Sequence, residues 1–428
     1  MQNRIHVLIS VIFLLIFFTF TLNMLYGIRH GDLSAIYQAA DHFSKGNYTL
    51  IFGPPAAGDI SHPSGILISS LDFQDSVFGK YRSPELPYVY PPLWAALLAP
   101  VTRIMDVQSF SNITLIIQLS LLTLSLYLCF QLSPARKPRF PIWILLVLLA
   151  GVFTLPLFLA LLHNQPQITI FALTILAFWQ YSEGRAVLAG TVLGIAAAIK
   201  LLPLFFIVIF IADRKWRALM AFLICSGSLA VLSFVLTGVQ LHLDFLHELS
   251  NLKNTVVLSS LNFNLEVPLY IGASVLDLAP PLPDHLPGLF TVAKPDWMKF
   301  APPLLMVSGL VLILRAPTLH RGVGRQERLL RMMIAITLWS GFFAPFSWAH
   351  YYLMPLFLSP AFPALIRHGV WASVGCLVFP AFSLLNLTIH PIESLHWVHG
   401  TLVSTTYYLI LFFWVVLMPQ NGRTTAPE

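Results

Sequence analysis

Charge is scarce in this chain: Asp, Glu, Lys and Arg make up 10% of its 428 residues, against roughly 25% in an ordinary soluble domain. So few charges cannot give a chain of this size a water-facing surface, and most of it must be solvated by lipid. Cysteine is nearly missing too. The three present, Cys129, Cys225 and Cys376, all lie in apolar runs with no CxxC pair, which excludes a disulfide framework and a thiolate metal centre. Solenoid repeats, low-complexity tracts and glycine-rich nucleotide loops are also absent. The polar stretches on the basic side are too short for a Rossmann or P-loop domain, so no nucleotide-activated substrate is expected from the cytoplasm. The net charge of +6 does not indicate nucleic acid, because the cations sit in short clusters between apolar runs. No cofactor and no metal is expected.

What is present is apolar sequence. Hydrophobic residues make up 57% of the chain, with 33 Phe and 10 Trp, as suits lipid-facing helices with interfacial aromatic belts. A span needs about 20 apolar residues. Clear runs lie at 7–28, 110–132, 140–162, 165–182, 216–237, 369–387 and 400–418, and shorter ones at 186–199, 201–212, 301–315, 331–346 and 351–366. No small-x-small cleavage site follows the first run, which reads as a retained anchor. The expected fold is all-α: one polytopic membrane domain over 1–428 with about twelve transmembrane helices.

Charge sets the orientation. The clusters are Arg136-Lys137-Pro138-Arg139, Arg185, Asp213 to Arg217, Arg315 to Arg331, and Arg367. All fall in the cytoplasm if the N-terminus is inside and 29–109 is a single outer loop, and the C-terminus is then inside as well. This requires 91–104 to be re-entrant or to lie on the outer surface. A second outer segment covers 238–300. Loops of such length are usually functional, and these contain ordered-looking mixtures of Tyr, Phe, Asp and Pro. The expected location is a bacterial inner membrane, with both loops periplasmic.

The unusual polar residues gather on the outer side. Asp32 follows the first run, where lipid and protein can desolvate a carboxylate and tune it as a base; it also fits an acid capping the helix from Leu33 onward. Tyr88-Val89-Tyr90-Pro91-Pro92 suits a helix start with interfacial aromatics. His163-Asn164-Gln165-Pro166-Gln167 suits a hairpin turn or amides at the mouth of a cavity. Lys200 interrupts an otherwise uncharged stretch, 186–212. An ionisable residue there suggests function, although a lysine can also snorkel to headgroups. Pro203 would end one helix and open another. In Ser347-Trp348-Ala349-His350-Tyr351-Tyr352, His350 fits an interfacial residue or a phosphate-binding imidazolium.

Taken in order, Asp32 with Tyr37-x-Ala39-Ala40, Tyr90-Pro91-Pro92-Leu93, Gln165-x-Gln167, Leu188-Ala189-Gly190-x-x-Leu193-Gly194, Lys200-x-x-Pro203 and Trp348-x-His350-Tyr351 resemble glycosyltransferase family 87 of the GT-C superfamily. That family includes polyprenol-phosphate-mannose-dependent mannosyltransferases. The resemblance covers about residues 7 to 418. It implies a many-helix GT-C-like fold with a periplasmic site, a donor sugar on a polyprenyl monophosphate, and a catalytic carboxylate in the first outer loop, where Asp32 matches. Members commonly read Gly-Gln-x-Asn where this chain has Asn164-Gln165-Pro166-Gln167. A late Asn-Gln-Ser type motif survives only loosely, as Asn262-Phe263-Asn264.

The combined expectation is a membrane hexosyltransferase, mannose favoured, acting with inversion on a lipid or glycan acceptor. Asp32 would be the base, and Lys200 and His350 would hold the donor phosphate. Tyr37, Tyr90, Asn164, Gln165, Gln167 and Trp348 would contact substrate. The competing expectation is a transporter or lipid flippase, which the Pro-interrupted runs of 186–212 also fit.

Overall fold

The computed structural model describes residues 2–28, 30–52, 88–134, 138–259, 261–282, 289–319, 323–344, 347–389 and 397–418. Arg29, Arg136, Lys137, Arg321 and residues 53–87 of the expected first outer loop lie outside the described residues. The chain begins with α1 (Gln2–Leu25), two short helices α2 (Gly31–Ser44) and α3 (Leu93–Thr102), and then α4 (Val107–Leu132). Helices α5 (Phe140–Val152) and α6 (Leu155–Leu162) are bent by 74° against one another. Then come α7 (Gln167–Ser182), α8 (Ala186–Ile199), and a 3-10 segment Leu202–Phe206 that runs into α9 (Ile207–Ala212). Helix α10 (Trp216–Lys253) kinks at Gly238 and leads to strand β1 (Thr255–Ser259), helix α11 (Glu266–Val275) and strand β2 (Leu289–Ala293), which pairs antiparallel with β1. The chain continues with α12 (Ala301–Leu319), α13 (Arg325–Phe343), a 3-10 segment Ala349–Tyr352, the short α14 (Leu353–Leu358) and α15 (Phe362–Leu365), α16 (Gly369–Ile389) and α17 (Trp397–Leu417).

The fold is that of an α-helical membrane protein. Among the described residues, five helices are long and apolar enough to cross a membrane, or six if the bent α5–α6 pair counts as one span. The other apolar runs predicted from sequence also form helices, several of which proline and charge cut short. Pro141 and Pro156 sit in the first turns of α5 and α6, Pro92 and Pro166 cap α3 and α7, and Pro203 begins the 3-10 segment after Lys200. A proline starts a helix readily and cannot continue the one before it. The span expected over 216–237 does not stop there. Gly238, at φ 75° and ψ 171°, kinks the chain and the helix resumes to Lys253. Residues 91–104 hold only the ten-residue α3, roughly 15 Å long and far short of a span; it packs beside α2 and α10. The all-α expectation also omitted the β1–β2 hairpin.

The basic clusters share one end. The Arg139 guanidinium meets His6 at 3.1 Å, and Gln326 donates to the Gln131 carbonyl. The Tyr181 hydroxyl donates to Asp213 at 2.7 Å, Arg328 pairs with Asp213 at 3.5 Å, and Arg325 lies over the Tyr181 ring. Buried Arg331 donates to the carbonyls of Leu365, Val415 and Met418, so it ties the ends of α15 and α17 together. These are the carbonyls a helix C-terminus leaves without an internal partner. The polar motifs of 30–32, 163–167, 200 and 347–352 lie at the other end.

Glycine allows the closest helix contact. Gly190 and Gly194 form a GxxxG step on α8, and α10 packs directly over it. A Cβ on Gly190 would lie 2.0 Å from the Ala218 carbonyl oxygen, and one on Gly194 would meet Cys225 and the Phe222 carbonyl. In lipid, where no hydrophobic drive separates helix from tail, such close approach supplies the packing. Gly190→Val should therefore destabilise the protein by about 1–3 kcal/mol or more, read as a lowered Tm in detergent. Gly227→Ala, where nothing lies within 4 Å, should leave Tm within a degree or two. Equal Tm values for the two variants would contradict this packing.

Candidate active site

The turn between α6 and α7 is set by one residue. Gln165 N–H donates to the Ala160 carbonyl at 2.9 Å and Asn164 N–H to that of Leu161 at 3.0 Å, closing α6 with a Schellman turn. Such a turn needs a left-handed residue, and Asn164 has φ 47°. Glycine is the usual occupant and asparagine the best-tolerated substitute. The departure from a Gly-Gln pattern at this point is thus conformationally conservative. The turn is pinned on several sides: Asn164 Nδ2 donates to the Ser111 carbonyl, Gln118 Nε2 to the Gln165 carbonyl, and the Tyr90 hydroxyl to Gln165 Oε1 at 3.3 Å. His30 Nδ1 lies 2.6 Å from the Leu162 carbonyl, so that nitrogen carries the hydrogen.

Asp32 sits in the first turn of α2, two residues after buried His30. Amides at a helix N-terminus favour a carboxylate there. Burial nevertheless raises the Asp32 carboxyl above its ordinary range, with His163 and Lys200 pulling the other way. Lys200 caps α8 in extended conformation. Its ammonium lies 4.3 Å from the Tyr351 ring centroid and 5.5 Å from that of Tyr90. Such contacts contribute about 0.5–2 kcal/mol each. Burial lowers Lys200 to about 7, against the raising influence of Asp32. Among the described residues, no carboxylate comes within ion-pair distance of it. Both side chains remain partly accessible, as cleft-wall groups must.

A cavity of about 410 Å³ is lined by Lys200 and Tyr351. Its other walls are almost wholly apolar and include Val89, Leu204, Phe205, Phe245, Met306 and Phe343. A cation with no carboxylate at contact distance among the described residues is therefore part of the wall of a hydrophobic cavity.

His350 is buried, its Nε2 is without a partner, and its ring lies 5.2 Å from that of Tyr351. Burial, with Lys200 and His163 adding to it, holds His350 well below the ordinary histidine range. This burial disfavours the imidazolium in the free protein, and a neutral His350 can offer a ligand an N–H or a lone pair. The segment is held by the second outer region. Asn262 Oδ1 accepts from Ser347 N–H at 2.9 Å, Phe263 N–H donates to the Ser347 carbonyl, and Ala349 N–H donates to the Leu261 carbonyl. The Tyr352 hydroxyl donates to the Phe263 carbonyl at 3.0 Å. Asn262-Phe263-Asn264 is thus a clamp on the loop carrying His350 and Tyr351.

The structure brings Asp32, Tyr90, Gln165, Lys200 and His350 to one end of the molecule. The charge of Lys200 acts on both Asp32 and His350. Tyr37 stands apart. Its hydroxyl donates to the Met105 carbonyl and its ring leans on Phe110. Trp348 forms an isolated bridge with Asn262 and packs partly buried against the core. Asn164 Oδ1 and Gln167 Oε1 are buried without partners, and Gln167 lines a small void with Tyr351. The sequence pattern gives no role to His30, His163 or Tyr351, although His163 and Tyr351 stand inside the quoted motifs; a single polar residue within or beside a motif carries no signal of its own.

The left-handed turn gives a direct test. Asn164→Gly and Asn164→Val both lose the bond to the Ser111 carbonyl, but the valine variant should lose about 1–2 kcal/mol more than the glycine variant. Thermal unfolding of the two variants measures this, and equal losses would remove the conformational role.

The family model of glycosyltransferase family 87 matches residues 88–345, more than half of the chain. The match contains Tyr90, Asn164, Gln165, Gln167 and Lys200, while Asp32 and Tyr37 lie well before it and Trp348 and His350 just after it. No curated protein sequence matches the chain.

Proposed function

The chain belongs to glycosyltransferase family 87, and we propose that this membrane glycosyltransferase moves a hexose, mannose favoured, from a polyprenyl-phosphate carrier to a lipid or glycan hydroxyl. The chemistry takes place at the non-basic end, which faces the periplasm if the basic clusters obey the positive-inside rule. N- and C-termini are then cytoplasmic, and about twelve passes, several of them short, cross a bacterial inner membrane.

One observation carries this reading: Lys200 lines an apolar cavity, and among the described residues no carboxylate comes within ion-pair distance of its ammonium. A lipid-borne phosphate matches both halves, with an isoprenoid tail for the walls and an anion for Lys200. In the proposed step Asp32 takes the proton of the acceptor hydroxyl while that oxygen attacks the anomeric carbon from the face opposite the phosphate. The sugar–phosphate C–O bond breaks, its electrons leave on the phosphate, and the configuration inverts. Lys200 offsets the charge developing on the leaving group, and such preorganised charge is worth most in a water-poor site. Tyr90 and Tyr351 hold the ammonium at that point. Neutral His350 adds a hydrogen bond to the phosphate, and Gln167 offers an acceptor to a sugar hydroxyl.

Asp32→Asn should lower kcat by about 10²–10⁴-fold without changing membrane insertion or Tm, measured by sugar transfer from a polyprenyl-phosphate donor in proteoliposomes. Full activity would dismiss Asp32 as base. Lys200→Ala should abolish use of the donor at comparable expression, and ordinary kinetics would show that the lysine only reaches for headgroups.

The pH dependence has a fixed sign. The productive free enzyme has Asp32 ionised and Lys200 protonated. Activity should rise with pH as the raised Asp32 carboxyl ionises and fall as Lys200 loses its proton near about 7. The kcat/KM profile reports the free enzyme, so its alkaline limb should lie near that value. The kcat limb should lie higher, because bound phosphate favours the ammonium. Lys200→Arg should remove the alkaline limb from kcat/KM, and an unchanged limb in that variant would refute the assignment.

A further inference from the structure

Outside the cleft, three exposed apolar side chains form a compact tip where α11 ends. Val275, Leu276 and Leu278 are 77%, 69% and 61% exposed. The tip is rigidly built. Leu278 N–H donates to the Ala273 carbonyl at 2.8 Å and Asp277 N–H to that of Ser274, with Asp277 at φ 58° supplying the left-handed residue. Beneath it, Tyr270, Ile271 and Met298 are buried in a small core shared with β1, and Lys294 pairs with Glu266 at 2.6 Å. Three exposed apolar side chains on a rigid turn are not an accident of a loose loop.

The depth of the tip is fixed by one bond. Trp297 Nε1 donates to the Leu278 carbonyl at 3.2 Å. Trp297 lies at the start of the apolar stretch Asp296–Arg315, one of the candidate spans. Along that stretch Phe300, Leu304, Val307 and Val311 are exposed at helical spacing, which makes a continuous lipid-facing stripe. The tip therefore lies level with the end of the span where tryptophan usually marks the interface. The apolar surface of the span continues through Trp297 and Phe300 onto the tip.

We propose that Val275, Leu276 and Leu278 insert into the periplasmic leaflet and anchor the β1–α11–β2 unit to the bilayer surface. The partner is lipid, since the patch continues a surface that already faces lipid. The anchor also bears on the cleft, because the same unit carries Asn262 and Asn264, which hold the loop of His350 and Tyr351. The inference rests on the membrane nature of the chain, not on the donor or on the roles of Asp32 and Lys200.

The test uses the full-length protein in proteoliposomes of neutral phospholipid, with a nitroxide attached at Leu276→Cys and, separately, at Val275→Cys, after replacing the partly accessible Cys225 by Ser. Power-saturation spectra with oxygen and with a water-soluble nickel chelate report depth. Accessibility to oxygen should exceed that to nickel at both sites by several-fold, while a label at Asp296→Cys, an exposed acid, should show the reverse. Nickel accessibility at 275 and 276 matching that at 296 would overturn the proposal. So would spin–spin broadening that grows with protein-to-lipid ratio, which would assign the tip to a second copy of the chain.

Discussion

The active end is organised around an ammonium that must remain charged with no carboxylate at contact distance among the described residues. Lys200 stands where a helix stops, beside the faces of Tyr90 and Tyr351, in the wall of an apolar cavity. Aromatic faces stabilise a cation through their quadrupole without neutralising it. A directly paired carboxylate would have occupied the positions an anionic ligand needs. Much of the surrounding structure serves this arrangement. Pro203 ends the run that α8 would otherwise continue, Gln165 receives the Tyr90 hydroxyl, and the Asn262 clamp holds the segment bearing Tyr351.

The protein divides its polar residues between two ends for different physical reasons. At the basic end, charge is satisfied by partners: Asp213 by Tyr181 and Arg328, and Arg331 by three carbonyls at helix C-termini. Buried polar atoms without a partner occur at the basic end too, in Trp143 Nε1, but at the other end they include His30 Nε2, Asn164 Oδ1, Gln167 Oε1 and His350 Nε2. A buried polar atom without a partner loses roughly 1–3 kcal/mol, and one end of the molecule concentrates several. That is the pattern of a site formed for a ligand, and it accords with a sugar-transferring family.

Much of this was legible in the linear chain, and what was not has identifiable causes. The helical runs were visible because 3.6-residue helices in lipid need nearly uniform apolarity. The sharing of one end by Arg139, Asp213, Arg328 and Arg367 followed from their placement between runs. Which runs are long enough to cross was less readable, since Pro156 and Pro203 shorten helices that hydropathy alone would join. Tyr37 was grouped with Asp32 by motif, yet it lies five residues on, about 140° round the helix, and its hydroxyl goes to Met105. The sequence leaves His350 open between an interfacial residue and a phosphate-binding imidazolium, because its burial depends on segments remote in sequence.

Composition and order by themselves determined that this is a membrane-embedded helical chain, that its cations gather at one end, and that Asp32, Lys200 and His350 belong together at the other. Those conclusions rest on local facts: which side chains lipid tolerates, and where charge interrupts them. Only the tertiary structure decided that Lys200 lies beside two tyrosines in the wall of an apolar cavity, that Asn164 holds a left-handed turn, and that the Asn262 segment fixes the loop of His350. Each of these depends on contacts between residues far apart in the chain, where electrostatics and packing act through space and leave no periodic trace in the sequence.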